Sequence, residues 1–187
     1  PLKSMRIEAA LLAKQWGIGC EEAGRRARYE IFEECLQEMG GCRGAIAVAH
    51  HRDDCAETLL FHMFRGTGLD GMAGIRPVRK TERESMIIRP LLETGKTEIE
   101  SFLQEKGISW RIDSTNTGED YTRNRIRNRV LPYAEKEICS GAGAHLAKEA
   151  QLLAETADFV RSCTRQALER CRVEAGALKT NVCGRER

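Results

Sequence analysis

The chain has 187 residues, 41% of them hydrophobic and 31% charged, with 30 basic against 28 acidic side chains and a formal net charge of +2. That length suits one domain, or one plus part of another, and the charged fraction excludes wholesale disorder. The longest apolar run, Ala45–Ala49, falls far short of the ~18 residues a membrane helix needs, and eight cysteines without a Cys-x-x-Cys pair argue for reduced thiols in a cytoplasmic protein and against zinc-ribbon or iron–sulfur ligands.

In chain order, helical spacing of Ile7, Leu11 and Leu12 predicts a helix over 5–16, with Ser4 as its cap, broken by Gly17-Ile18-Gly19. A second helix is expected from about Glu21 to Met39, burying Ala23, Ala27, Ile31 and Leu36, and Gly40-Gly41 stops it. Gly44 to Ala49 is continuously apolar between breakers and reads as a strand of a parallel sheet, buried on both faces. A helix then begins near Asp53 and carries Ala56, Leu59, Leu60, Met63 and Phe64. Helix, strand, turn and helix over 21–65 form a piece of a doubly wound α/β sheet, in which polar residues at a strand's carboxyl end face the ligand crevice.

Beyond Gly66, Gly68, Gly71 and Gly74 keep the chain loop-like. Arg76–Arg79 and Met86–Arg89 read as a hairpin around the polar linker Lys80–Ser85. Thr97–Lys106 is an amphipathic helix, Trp110–Ile112 a further strand, and Asp113–Asp120 a polar loop. The remainder from Thr122 is mostly helical. Gly141-Ala142-Gly143 separates the α/β part from a long helix over about His145–Cys171.

The densest chemistry lies in His50-His51-Arg52-Asp53-Asp54-Cys55-Ala56-Glu57-Thr58. Asp53 and Glu57 share a helix face, and Asp54 lies one turn from Thr58. Such acids can hold Mg²⁺, with Asp54 and Glu57 as the metal pair, or meet a substrate ammonium. Asp54-x-x-Glu57 also matches a capping box, and His51, Cys55 and His62 have a spacing that a zinc ion tolerates. Arg65-Gly66-Thr67-Gly68 offers backbone amides, a hydroxyl and a guanidinium to a phosphate; its simpler reading is a glycine stop. Charge is unevenly spread. Arg123 to Arg129 carries four arginines and no acid, whereas Glu21 to Glu38 has six acids against three arginines. Arg123 and Arg127 share a helix face, Arg125 points elsewhere, and the interleaved Asn124 with nearby Tyr121 suits phosphate and base contacts.

These blocks, in this order, resemble the tRNA(Ile)-lysidine synthetase family of the N-type ATP-pyrophosphatases. The resemblance rests on Glu21–Tyr29, His50-His51-x-Asp53-Asp54-x-Ala56-Glu57-Thr58 and Arg65–Leu69, followed by Arg89-Pro90-Leu91-Leu92, Asp113-Ser114-Thr115-Asn116 and Arg123–Arg127. It implies an adenine nucleotide α-hydrolase-like sheet and an enzyme that uses ATP and Mg²⁺. That enzyme adenylates the wobble cytidine of a tRNA(Ile) with a CAU anticodon, and free L-lysine then displaces AMP to leave lysidine. By that resemblance Asp53, Asp54 and Glu57 handle metal and lysine, with His50 and His51 shaping the site. Arg65, Gly66, Thr67 and Gly68 sit near phosphates. Arg89, Asn116, Arg123, Asn124, Arg125 and Arg127 hold RNA. The family's Ser-Gly-Gly-x-Asp-Ser ATP loop has no counterpart in the 187 residues; Ser140-Gly141-Ala142-Gly143 lacks the Asp-Ser end and follows no strand, and Cys55 replaces the usual Gln. The expectation is therefore a middle fragment with its first strands missing: residues 1–133 as a partial catalytic domain that does not activate ATP alone, and residues 134–187 as a helical linker or the start of a tRNA-binding region. The alternatives are a non-catalytic tRNA-binding remnant or a tRNA thiolation enzyme of the same superfamily. Oligomeric state is not encoded in any of these features.

Overall fold

A computed structural model of the chain describes residues 3–39, 44–111 and 122–171. Two units emerge, Pro1–Ala49 with Pro77–Pro90, and His50–Arg76 with Leu91–Arg187.

In the first unit, α1 (Ala9–Trp16) starts later than its apolar spacing suggests, after Glu8 rather than Ser4, and ends where Gly17 adopts φ +66°. A left-handed residue at a helix end is favourable for glycine, which has no Cβ to clash. α2 (Cys20–Glu38) places Glu21 and Glu22 at its positive N-terminal end. Ala13, Ala23 and Ala27 are buried, and the open side of Gly24 faces the Ala9 methyl. Ile31 and Leu36 are only half-buried, and Glu33 is the buried residue of that turn.

The three-stranded sheet has the order β1-β3-β2. β1 (Ala45–Ala47) runs parallel to β3 (Met86–Ile88), pairing Ile46 with Ile87, and β2 (Val78–Lys80) is antiparallel to β3. The expected parallel pairing and hairpin both form. Burial of β1 on both faces does not: Ile46 is buried, but Ala45 and Ala47, which share the opposite face, are exposed. Lys80 belongs to β2, whereas Arg76 and Pro77 precede it.

In the second unit, α3 (Arg52–Arg65) begins as expected; the Asp54 carboxylate accepts the His51 amide at 2.9 Å and caps the first turn. The stretch read as a loop contains one helical turn, α4 (Leu69–Met72). Gly71 is required there, since a Cβ would collide with the Thr67 hydroxyl. α5 (Lys96–Glu105) has its first turn capped by Glu98, which accepts the Gly95 amide at 2.7 Å. Trp110 and Arg111 form no strand, and Ile112 lies outside the described residues, as do Asp113–Asp120.

From Thr122 to Ile138 the chain is helical throughout: α6 (Thr122–Arg125) and α7 (Leu131–Tyr133) alternate with wider π-helical turns over Ile126–Val130 and Ala134–Ile138. α8 (Ala142–Cys171) packs on α3 and α4 through Ala150, Ala154 and Ala157, whose spacing leaves one narrow, smooth stripe. Gly143, expected in a separator, is buried inside that helix. Ala56, Ile126 and Leu131 form a core cluster flanked by Leu60, Phe61 and Leu146.

Glu135 caps α8 from outside, its two oxygens accepting the Gly141 and Gly143 amides at 2.7 and 2.8 Å. The Gly143 and Gly141 donors hold its carboxyl below the usual carboxylate range. This stabilisation is present above the unfolded glutamate value, about 4.5, and is lost as pH falls through the lower folded value. Glu135→Gln should lower the thermal midpoint at pH 7 by roughly 2–4 °C. In circular dichroism melts the difference from the parent chain should shrink progressively as pH falls below 4.5.

Candidate active site

The acids of α3 and the arginines of the segment after Thr122 meet in one network. Glu57 is 2% exposed and is held bidentately by Arg127, with Nε to Oε1 at 2.5 Å and Nη2 to Oε2 at 2.8 Å. The same Nη2 reaches Asp54 Oδ1 at 3.3 Å. One turn before Arg127, Arg123 donates to Thr58 Oγ1 at 2.9 Å. The four-residue spacing places both guanidinium groups on one face, and Arg125 between them is exposed. Burial pushes the Glu57 carboxyl up, against the pull of Arg127, and the hydrogen bond that Arg127 donates to Glu57 raises Arg127.

The remaining acid has a different partner. Asp53 Oδ2 accepts the Lys96 amide at 2.9 Å, joining the start of α3 to the start of α5. The Thr94 carbonyl accepts the Arg52 amide at 2.9 Å, and Arg52 Nη2 lies 3.1 Å from Glu98. His51 stands over this corner, with Nδ1 3.7 Å from Asp53 and Nε2 3.5 Å from Asp54. His50 is half-buried beside it in sequence.

Arg65 is exposed, and its guanidinium lies 4.9 Å from the centre of the Phe61 ring. Gly66 ends α3 with φ +72°, Thr67 rests on Gly71, and the Gly68 carbonyl accepts the Gly71 and Met72 amides of α4. These residues form the glycine stop. Asn124 is buried. Arg89 is buried in the first unit, where its amide donates to Pro77. Asn116 lies outside the described residues. Thr58 and Phe61 were legible as neighbours of the acids at one-turn spacing; the Lys96 amide carried no sequence signal.

Asp54 and Glu57 offer the hard oxygens Mg²⁺ prefers, but both are already bonded to Arg127, so these residues do not form a magnesium cradle in this arrangement. Among the described residues no group of three or more His, Cys, Asp or Glu side chains is placed to hold a metal ion. His51, Cys55 and His62 accordingly form no zinc set; His62 Nδ1 is hydrogen-bonded to the Gly71 carbonyl at 2.6 Å. The six described cysteines are free thiols. No helix among the described residues is long and apolar enough to cross a membrane.

A parallel strand pair followed by a polar strand-to-helix junction is an α/β arrangement, and residues 2–134 match the PP-loop domain; the chain belongs to that family. Within it, the chain is similar to proteins named tRNA(Ile)-lysidine synthase. It is 41% identical over 172 residues to the one from Caldanaerobacter subterraneus subsp. tengcongensis (91% of this chain, 35% of that protein). It is 40% identical over 155 residues to that of Chlorobaculum tepidum (83% and 45%). It is 44% identical over 142 residues to that of Solibacter usitatus (76% and 29%). The chain therefore spans less than half the length of these curated relatives.

Proposed function

We propose that this chain is part of a tRNA-modifying ligase that forms lysidine. ATP, carried as its Mg²⁺ complex, adenylates the C2 oxygen of the wobble cytidine of tRNA(Ile) with a CAU anticodon. The amino group of free L-lysine then attacks C2 and displaces AMP, changing decoding from AUG to AUA. The observation that carries this reading is the convergence of two separate motif blocks, the His-His-x-Asp-Asp helix and the Arg123–Arg127 segment, in one hydrogen-bonded network.

In this reading Asp54 and Glu57 orient the lysine amine or accept its proton once substrate binding draws Arg127 away from them, and burial makes Glu57 the more basic carboxylate for that task. Asp53, His50 and His51 shape the site, and Gly66, Thr67 and Gly68 face phosphate. Arg89, Asn116, Arg123, Asn124, Arg125 and Arg127 contact the tRNA or the reacting nucleotide. Residues 1–133 belong to the catalytic domain, residues 134–187 lead toward further tRNA contacts, and the enzyme works in the cytoplasm.

The test is a chimera of the Caldanaerobacter protein in which the matching segment is replaced by this chain. Labelled lysine should enter a CAU-anticodon tRNA(Ile) transcript in an ATP-dependent manner, and Glu57→Gln should reduce transfer by at least about 100-fold. A soluble chimera that binds this tRNA and transfers no lysine would overturn the proposal.

A further inference from the structure

The C-terminal turn of α3 carries two features that the acid–arginine network leaves unused. Phe64 is 65% exposed, although an exposed phenyl ring next to a charged residue contributes nothing to a core. Arg65, beside it, lies over the Phe61 ring at 4.9 Å, and Arg123 approaches the same ring at 6.0 Å. Glu57, Phe61 and Arg65 follow one another at four-residue steps, so they line one side of α3 and rise about 6 Å per step. Phe61 thus joins a surface guanidinium to the inner guanidinium that donates to Thr58. No acid occurs between Thr58 and Leu69, and Asp70, which follows, is paired with Arg161.

Aromatic rings and arginine planes, interleaved at the exposed end of α3, match one kind of partner: single-stranded RNA, whose bases stack and whose phosphates need cations. We propose that Phe64 and Arg65, backed by Phe61 and Arg123, form a stacking platform for an unpaired RNA base and its phosphate. The platform lies about 12 Å along α3 from Glu57, within reach of a few nucleotides. This inference rests on the proposed function for the identity of the RNA and assigns Arg65 to the RNA backbone.

The probe is an RNA hairpin with CAU in its loop and 2-aminopurine in place of the loop adenine, titrated with the 187-residue chain. Binding should quench the fluorophore by stacking. Phe64→Ala should weaken binding about tenfold and remove the quench, and Phe64→Trp should restore both. Arg65→Gln should weaken binding and flatten the logarithmic salt dependence by about 0.7 for the lost phosphate contact. Unchanged affinity and quench in Phe64→Ala and Arg65→Gln would overturn the platform, as would absence of any hairpin binding by the parent chain. The two proposals fail separately. Lysine transfer by the chimera with silent Phe64 and Arg65 variants removes only the platform; their loss of binding with an inactive chimera removes only the lysidine reaction.

Discussion

Replacing Arg127 with methionine should destabilise the chain by about 3 kcal/mol at neutral pH, read as a lower urea midpoint with an unchanged slope. The arginine is the partner of both Glu57 oxygens, and Glu57 is 2% exposed, so its removal strands a charge that water cannot reach. Burial already pushes the Glu57 carboxyl up with the arginine present, and without it the rise must be larger. A carboxyl raised in the folded state gives up stability as pH climbs from the unfolded value, about 4.5, to the folded one. The variant should therefore approach the parent near pH 4 and fall behind it toward pH 7. Pairing the change with Glu57→Leu should recover most of the loss, because an apolar pair of similar volume leaves no buried charge. Equal destabilisation at pH 4 and pH 7 would show that packing, not the stranded carboxylate, is the cause.

Ile126→Ala should cost about 3 kcal/mol in the same measurement, and it should also weaken binding of the CAU hairpin. Ile126 is 2% exposed, against Ala56 and Leu131, and lies between Arg123 and Arg127 in the chain. Its side chain is what fixes the π-helical turn to α3, so the two arginines keep their reach to Thr58 and Glu57 only while it is seated. Ile126→Val removes a single methylene and should cost about 1 kcal/mol with little effect on RNA. A binding loss as large in the valine variant as in the alanine variant would contradict an anchoring role.

Much of the architecture could be read from the residues because it depends on local rules. Apolar spacing located α2, α3 and α5 to within about two residues, since each helix must turn one stripe inward wherever it packs. The hairpin and the parallel character of β1 followed from breakers and a short apolar run, whereas the choice of β3 as the partner of β1 came only with the tertiary structure. The start of α1 and the single turn of α4 differ from the reading of the residues, because an isolated turn is unfavourable to nucleate and forms only where tertiary contacts such as Thr67 on Gly71 hold it. The break expected at Gly141-Ala142-Gly143 forms at Gly141, where φ is +85°, and α8 starts at once with Ala142, so Gly143 sits in its first turn with its amide held by Glu135.

The sequence by itself determined the kinds of chemistry: three acids and two histidines at a strand-to-helix junction, and arginines at four-residue spacing on one helical face. Only the tertiary structure decided their partners. It gave Glu57 and Asp54 to Arg127, Thr58 to Arg123, and Asp53 to the Lys96 amide. The reason is range: helical periodicity fixes which side a residue faces within a few turns, whereas pairing across some 70 residues of chain is set by the packing of Ile126 and Leu131 on Ala56 and by the need to neutralise a carboxylate once it is buried.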